Sequence, residues 1–450
     1  MNLESLYHDR REAALADFNR AIAIDEAYAW AYFQRGQVLR ELGRMEEALA
    51  DLTRACELEP EDAAYHAERG ETLRMLRRYE EALAAFSRAI TLRPEYPWAL
   101  GSRGQVWRAL RRHHEALSDF DAALEFNPTL AWVHAERGET LRALRRYPEA
   151  IEAFSHALAI DPDYVWARGH RGITYREMQD YPAAIADFDA AIALQNNMPW
   201  LYAERGEARR LADDYDGALA DLSRAIELDP EYAWAFGSRG ATFRAIGDVE
   251  AALADFNRAL ELDPDYTWVY MQRGLLHRNA DRTDEALADF SRVLELDPNH
   301  VSALAERGEL WRLRRRYNEA LADFNRALEL QPDHAWVLGS RGQVYRVLSR
   351  YEEALADFNR ALALKPDVVW MLAERGETLR LLRRYNEAIE DFNRALELSP
   401  DDSWILSRRG ATYQALKIYE EAFIDLTRAV EIDPNNAWAW AQRGSLFRQM

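Results

Sequence analysis

The sequence predicts an all-α fold: an α-solenoid superhelix of antiparallel helix pairs built on a 34-residue repeat. Three observations carry that prediction. A glycine recurs every 34 residues from Gly36 to Gly444, thirteen times without an insertion. Each glycine of a complete unit is followed by Ala twelve positions on, Phe or Leu sixteen on, and Ala nineteen on, apart from Val293. Proline stands twenty-four on in eleven units, from Pro60 to Pro434. A fixed period of this size means a stack of like units, none able to bury a core alone.

The elements follow in order. Residues 1–28 are a partial unit, a second helix alone (EAALADFNRAI). Twelve complete units then run over residues 29–436 as one solenoid. In each, the first helix carries the glycine, as in WVLGSRGQVYRVL. In the second helix, small, aromatic and small residues at spacings of four and three fall on one face. The proline then stops that helix. Residues 437–450 (ending WAWAQRGSLFRQM) are the first helix of a thirteenth unit.

On length, Gly, Ala, Phe, Ala and Pro, this pattern resembles the tetratricopeptide repeat family over nearly the whole chain. The resemblance implies a right-handed superhelix whose first helices line a concave groove that holds peptides or partner proteins. Some members clamp a C-terminal carboxylate with basic and Asn side chains on first helices. Here the matching face has Trp, Ala or Gly, and Glu or Gln, so that mode is not expected.

Composition narrows the function further. A net charge of −20 argues against non-specific binding to DNA or membrane. The segment MNLESLYHDRR has no apolar core for a secretory signal. One cysteine, Cys56, excludes an internal disulfide and fits a cytoplasmic location. No nucleotide-binding loop, HExxH, CxxC or GxSxG occurs, so neither an enzyme nor a cofactor or metal site is expected.

Two arginine ladders run along the first helices. One precedes every glycine and lies among apolar positions, as Arg103 does among Ala99, Leu100, Val106 and Trp107. A buried guanidinium needs a carboxylate. Asp stands fifteen after the glycine in ten units, so an Arg–Asp pair is expected in each, as at Arg239 and Asp255. Ala85 and Ala153 leave Arg69 and Arg137 to find other acceptors.

The second ladder sits four after the glycine, on the opposite face. Beside it runs a Trp six before the glycine in eleven units; Ala64 and Ser302 interrupt the row. The candidate partner-binding tryptophans are Trp98, Trp132, Trp166, Trp200, Trp234, Trp268, Trp336 and Trp370. Packing on the neighbouring unit is the structural alternative for them; a track of aromatic anchors is the functional one.

The units also alternate. Ala-Glu units put a Glu three before the second-ladder arginine, where the two can pair. In the Gly-Ser and Gly-His units Arg108, Arg176, Arg244 and Arg346 lack that Glu. These four are therefore expected to accept anionic groups. With acidic second helices outside, the groove is expected to be mildly positive and to steer an acidic partner inward.

The last helix leaves Trp438, Trp440, Leu446 and Phe447 uncovered. The chain reads as a piece of a longer array; the other reading is head-to-tail self-association through the open ends. The function expected is a non-catalytic scaffold that holds an extended peptide or protein segment, with no membrane partner. Two alternatives are the recognition arm of a larger signalling protein and single-stranded nucleic acid binding.

Overall fold

The computed structural model describes residues 3–450, with side chains from residue 10 onward. Among the described residues there are 26 α-helices and no strand. They fall into two compact units, one ending at Thr242 and one starting at Phe243. Helix Ala233–Ile246 runs across that division.

Each repeat is a short first helix and a slightly longer second one, for example Pro97–Ala109 and His113–Phe126. The turn between them is built the same way each time. The residue seven after the glycine takes a left-handed backbone, as Arg77, Arg111 and Arg145 do at φ 58–59°. Only Gly43 and Gly247 meet that demand with glycine. The next N–H then reaches back to close the first helix, Arg112 N to Trp107 O at 2.8 Å. This caps carbonyls that the helix end would leave unpaired.

The core is a line of fully buried second-helix aromatics. Phe86, Phe120, Phe154 and Phe188 occupy it in the first unit; Phe256, Phe290, Phe324, Phe358 and Phe392 occupy it in the second. The repeating glycine exists to receive that ring. A Cβ on Gly104 would stand 2.6 Å from Phe120 Cε1, so no side chain fits between the two helices. The flanking alanines, such as Ala116 and Ala123, are wholly buried and allow the same close approach.

Candidate functional site

The ladder that precedes the glycines is structural. Arg103 donates from Nε and Nη2 to both oxygens of Asp119, each at 2.7 Å. Its Nη1 reaches Ser87 of the preceding repeat at 3.1 Å. Each such arginine therefore ties its own second helix to the one before. The same grip holds at Arg35–Asp51, Arg171–Asp187 and Arg205–Asp221. In the second unit it recurs from Arg273–Asp289 to Arg409–Asp425. Where Ala153 replaces Asp, Arg137 turns to Asp121 at 2.7 Å. Where Ala85 does so, Arg69 Nε is buried without a hydrogen-bond partner.

The second ladder differs from the sequence expectation. Within Ala-Glu units the arginine pairs with its own helix as expected, Arg142 with Glu139 at 2.7 Å and Arg380 with Glu377 at 2.7 Å. In the intervening units the arginine reaches the next repeat instead. Arg108 meets Glu136 at 2.8 Å, Arg176 meets Glu204 at 2.9 Å and Arg346 meets Glu374 at 2.6 Å. Gln105 and Gln343 donate to the same Glu136 and Glu374. The expectation that these arginines stand without a carboxylate is therefore overturned for Arg108, Arg176 and Arg346. The physical reason is that a residue 28 positions on lies beside them once repeats stack. Arg244 lies in the last turn of its helix, at the division between the units.

In the first unit every second-ladder arginine from Arg40 to Arg210 has a glutamate partner. Arg40, Arg74, Arg108, Arg142, Arg176 and Arg210 stand against Glu68, Glu71, Glu136, Glu139, Glu204 and Glu207. Burial alone would raise Glu139, but hydrogen bonds from His170 and Arg142 outweigh it and hold it at about 2. Glu204, which has Arg176 but lies beside Glu207, is pushed up by burial.

The tryptophans pack between repeats. The tips of the Trp132, Trp200 and Trp370 indoles fill the space that a Cβ on Gly101, Gly169 or Gly339 of the preceding repeat would need. Trp98 and Trp166 follow alanine instead, and set an edge against Phe86 and Phe154, ring centres 6.3 Å apart in both. Trp234 is half-buried beside Tyr232. Trp268 is the most exposed of the eight, at 37%. Trp336 packs on the second unit's core and borders a cavity of about 360 Å³ lined also by Arg278, Ser302, Ala305, Glu306 and His334.

The two breaks in the row are compensated. Ala64 and Ser302 follow the only repeats in which the small residue is large, Phe33 and Met271. Phe33 stacks on Tyr65 at 4.7 Å, and Met271 is buried. Bulk has moved from one repeat to its neighbour, as a conserved-volume exchange requires.

The position two before the glycine, which sets the Ala-Glu, Gly-Ser and Gly-His alternation, also holds a residue that the sequence reading did not single out, Arg408. In the second unit Arg408 lies there between two indoles, 3.8 Å from the centre of Trp438 and 5.1 Å from Trp404. Its nearest carboxylate, Glu377, is 3.4 Å away and already holds Arg380. Its Nε is buried without a partner. Desolvation lowers its pKa, and Arg380 and Arg346 add to that. His170 fills the equivalent place in the first unit, 4.0 Å from Trp166 and 5.8 Å from Trp200. The available signal was a cationic residue where the alternate units carry Ser102, Ser238 and Ser340.

No group of three or more potential metal ligands occurs among the described residues. No helix among them is long and apolar enough to cross a membrane.

Tetratricopeptide repeat family models match residues 33–131, 170–232 and 340–403, and further models of that repeat match 131–164, 240–281, 268–300 and 300–367. The chain belongs to the tetratricopeptide repeat family. Residues 419–450 also match the protein prenyltransferase alpha subunit repeat. No curated protein matches the chain by sequence. Among solved structures, the tetratricopeptide array is similar to a chain of the APC/C hetero-tetramer Cut9-Hcn1. The identity is 15% and the TM-score 0.50, over 98% of this chain and 94% of that one. Yeast Tom70 matches at 17% identity and TM-score 0.38, over 94% and 96% of the two chains. A tetratricopeptide repeat protein from Parabacteroides merdae matches at 20% identity and TM-score 0.42, over 55% and 98%. At these identities the likeness concerns the fold alone.

Proposed function

We propose that this tetratricopeptide array is a non-catalytic scaffold that holds an extended, acid-bearing peptide segment against the face built by its first helices. The observation that carries this reading is Arg408. Elsewhere on that face ten ladder arginines, from Arg40 to Arg380, are paired with glutamates, and a paired guanidinium offers an anion little. Arg408 is stacked between two tryptophans and shares its one nearby carboxylate with Arg380. A stacked guanidinium with unspent donors is suited to a carboxylate held flat against aromatic rings. The half-exposed tryptophans and the opening at Ser302 supply apolar seats along the same track. Net charge −20 weighs against a nucleic acid on this face.

The test is peptide display against the 450-residue chain, followed by titration of the selected peptides. Arg408→Ser is the informative variant, because Ser is what the alternate repeats carry there and the fold is expected to persist. The reading expects acidic residues among the selected peptides and a loss of at least about tenfold in affinity for Arg408→Ser. Equal affinity for both proteins defeats it. So does binding of a single-stranded oligonucleotide with a steep salt slope in place of any peptide.

A further inference from the structure

The tryptophan row has two gaps, and the array closes only one of them with a ring. At Ala64 aromatic surface is put back, since Phe33 stacks on Tyr65 with ring centres 4.7 Å apart. At Ser302 the compensating residue is Met271, an unbranched chain that lies buried. Ser302 itself is exposed and lines the cavity of about 360 Å³. That volume falls within the range of about 300–1,000 Å³ usual for small-ligand sites. Ala305 and Trp336 give the cavity an apolar wall.

Its polar rim is incomplete in a specific way. In three other units the matching glutamate takes two donors from the preceding repeat. Glu68 has Gln37 and Arg40, Glu136 has Gln105 and Arg108, and Glu374 has Gln343 and Arg346. In the Ser302 unit the glutamate is Glu306, and Leu275 stands where those glutamines stand. Arg278 donates to Glu306 Oε2, and Oε1 has no partner among the described residues. His334 offers the converse group. Its Nδ1 accepts from Val337 N at 3.4 Å, so the neutral ring carries its proton on Nε2, which has no partner among the described residues. Arg278 already answers the Glu306 charge, so a cation entering here meets no net negative charge.

We propose that this cavity seats one tryptophan or tyrosine side chain of the bound peptide segment, its ring in the gap of the Trp row and its N–H or O–H donated to Glu306 Oε1. The proposal rests on the peptide reading above and adds the residue that fixes the register of the segment. The occupant is an aromatic ring because the array itself fills this slot with an indole in eleven first helices. It carries a donor because the spare group on the rim is a carboxylate oxygen. Phenylalanine lacks the donor, and leucine lacks the ring. A tyrosine oxygen also accepts from His334 Nε2.

The first arm of the test needs no known partner. N-acetyl-tryptophanamide, N-acetyl-tyrosinamide, N-acetyl-leucinamide and N-acetyl-lysinamide are titrated with the 450-residue chain by ligand-observed NMR. The tryptophan and tyrosine amides are expected to bind at least about tenfold more tightly than the other two. Met271→Gly with Ser302→Trp rebuilds the Gly339–Trp370 pattern, so the fold is expected to persist, as circular dichroism checks. The new indole fills the seat, and the preference is expected to vanish. Leu275→Gln gives Glu306 the donor that Gln105 gives Glu136, and is expected to bring the tryptophan amide down to the affinity of N-acetyl-phenylalaninamide. The second arm uses the peptides selected by display. They are expected to carry a Trp or Tyr whose change to Ala costs at least about tenfold in affinity for the wild-type chain and nothing for the filled variant. Wild-type and filled chains that bind the amides alike overturn the seat, as does a preference for the lysine amide or selected peptides without Trp or Tyr. Arg408→Ser is expected to leave amide binding unchanged, so failure of the peptide reading and failure of this seat are told apart.

Discussion

The Trp132 indole lies over Gly101 of the preceding repeat, its Cη2 2.5 Å from where a Cβ on that glycine would stand. Phe33 with Ala64 and Met271 with Ser302 show the opposite division of bulk. Trp132→Ser alone opens a void and is expected to cost roughly 3–5 kcal/mol. Gly101→Met alone overfills the site and is expected to cost about 1–3 kcal/mol. Together they reproduce the Met271–Ser302 arrangement, and the double variant should lie well above the sum of the two losses. Urea unfolding of the four proteins gives the coupling energy. Strict additivity would show that the two residues do not share one site.

Arg69 and Arg137 both lack the aspartate of their own unit, and Arg69 is the one whose Nε finds no other acceptor. Its Nε is buried and unpartnered, and Ala85, at the aspartate position, is 2% exposed. Ala85→Asp supplies the acceptor to a cation already in place, so the usual penalty of burying a second charge is offset by ending an unsatisfied one. A gain of about 1–3 kcal/mol is expected. Ala153→Asp is the control, because Arg137 already holds Asp121. The urea midpoint should rise for the first variant and change little for the second. A fall for Ala85→Asp would mean that Arg69 is satisfied by solvent.

These two cases mark what was legible in the sequence. The repeat, its helix pairs and the Arg–Asp grip all lie within one 34-residue unit, and spacing alone places Arg103 against Asp119. Contacts between units were harder. Arg108 has no Glu in its own helix turn, and its partner Glu136 stands 28 positions away in the next repeat. The Trp row was legible as a row, but its meaning lay in the preceding repeat, where Gly101 or Ala67 yields space and Phe33 or Met271 takes it. Arg408 and His170 occupy a position that a helical-wheel argument sets beside the face, and stacking brings both between consecutive indoles.

The Arg–Asp grip itself predicts graded losses. Arg103 and Asp119 are mostly buried, with 21% and 8% of their side chains exposed. Asp119→Ala leaves a buried guanidinium with Ser87 as its acceptor and is expected to cost roughly 3–5 kcal/mol. Ser87→Ala removes one neutral acceptor and is expected to cost about 0.5–1.5 kcal/mol. Hydrogen exchange of helices Pro97–Ala109 and His113–Phe126 localises the effect, since a stack of repeats opens in parts. Equal losses from the two variants would show that the aspartate is not the main tie.

Glu139 contributes to the acid behaviour of the first unit. Burial favours its neutral form, but His170 at 3.1 Å and Arg142 at 2.7 Å favour the charge more, and the carboxyl titrates at about 2. A glutamate in the unfolded chain titrates at about 4.3. The folded value is the lower one, so the unfolded chain binds the proton more readily. The stabilisation from Glu139 is therefore complete above the unfolded value and is lost as pH falls towards about 2. Glu139→Gln lacks the charge at every pH. The stability gap between wild type and this variant should be widest near neutral pH and should close across that acid window. Urea midpoints measured at a series of pH values check this. A gap that stays constant with pH would assign the loss to altered packing and leave the charge at Glu139 without a stabilising role.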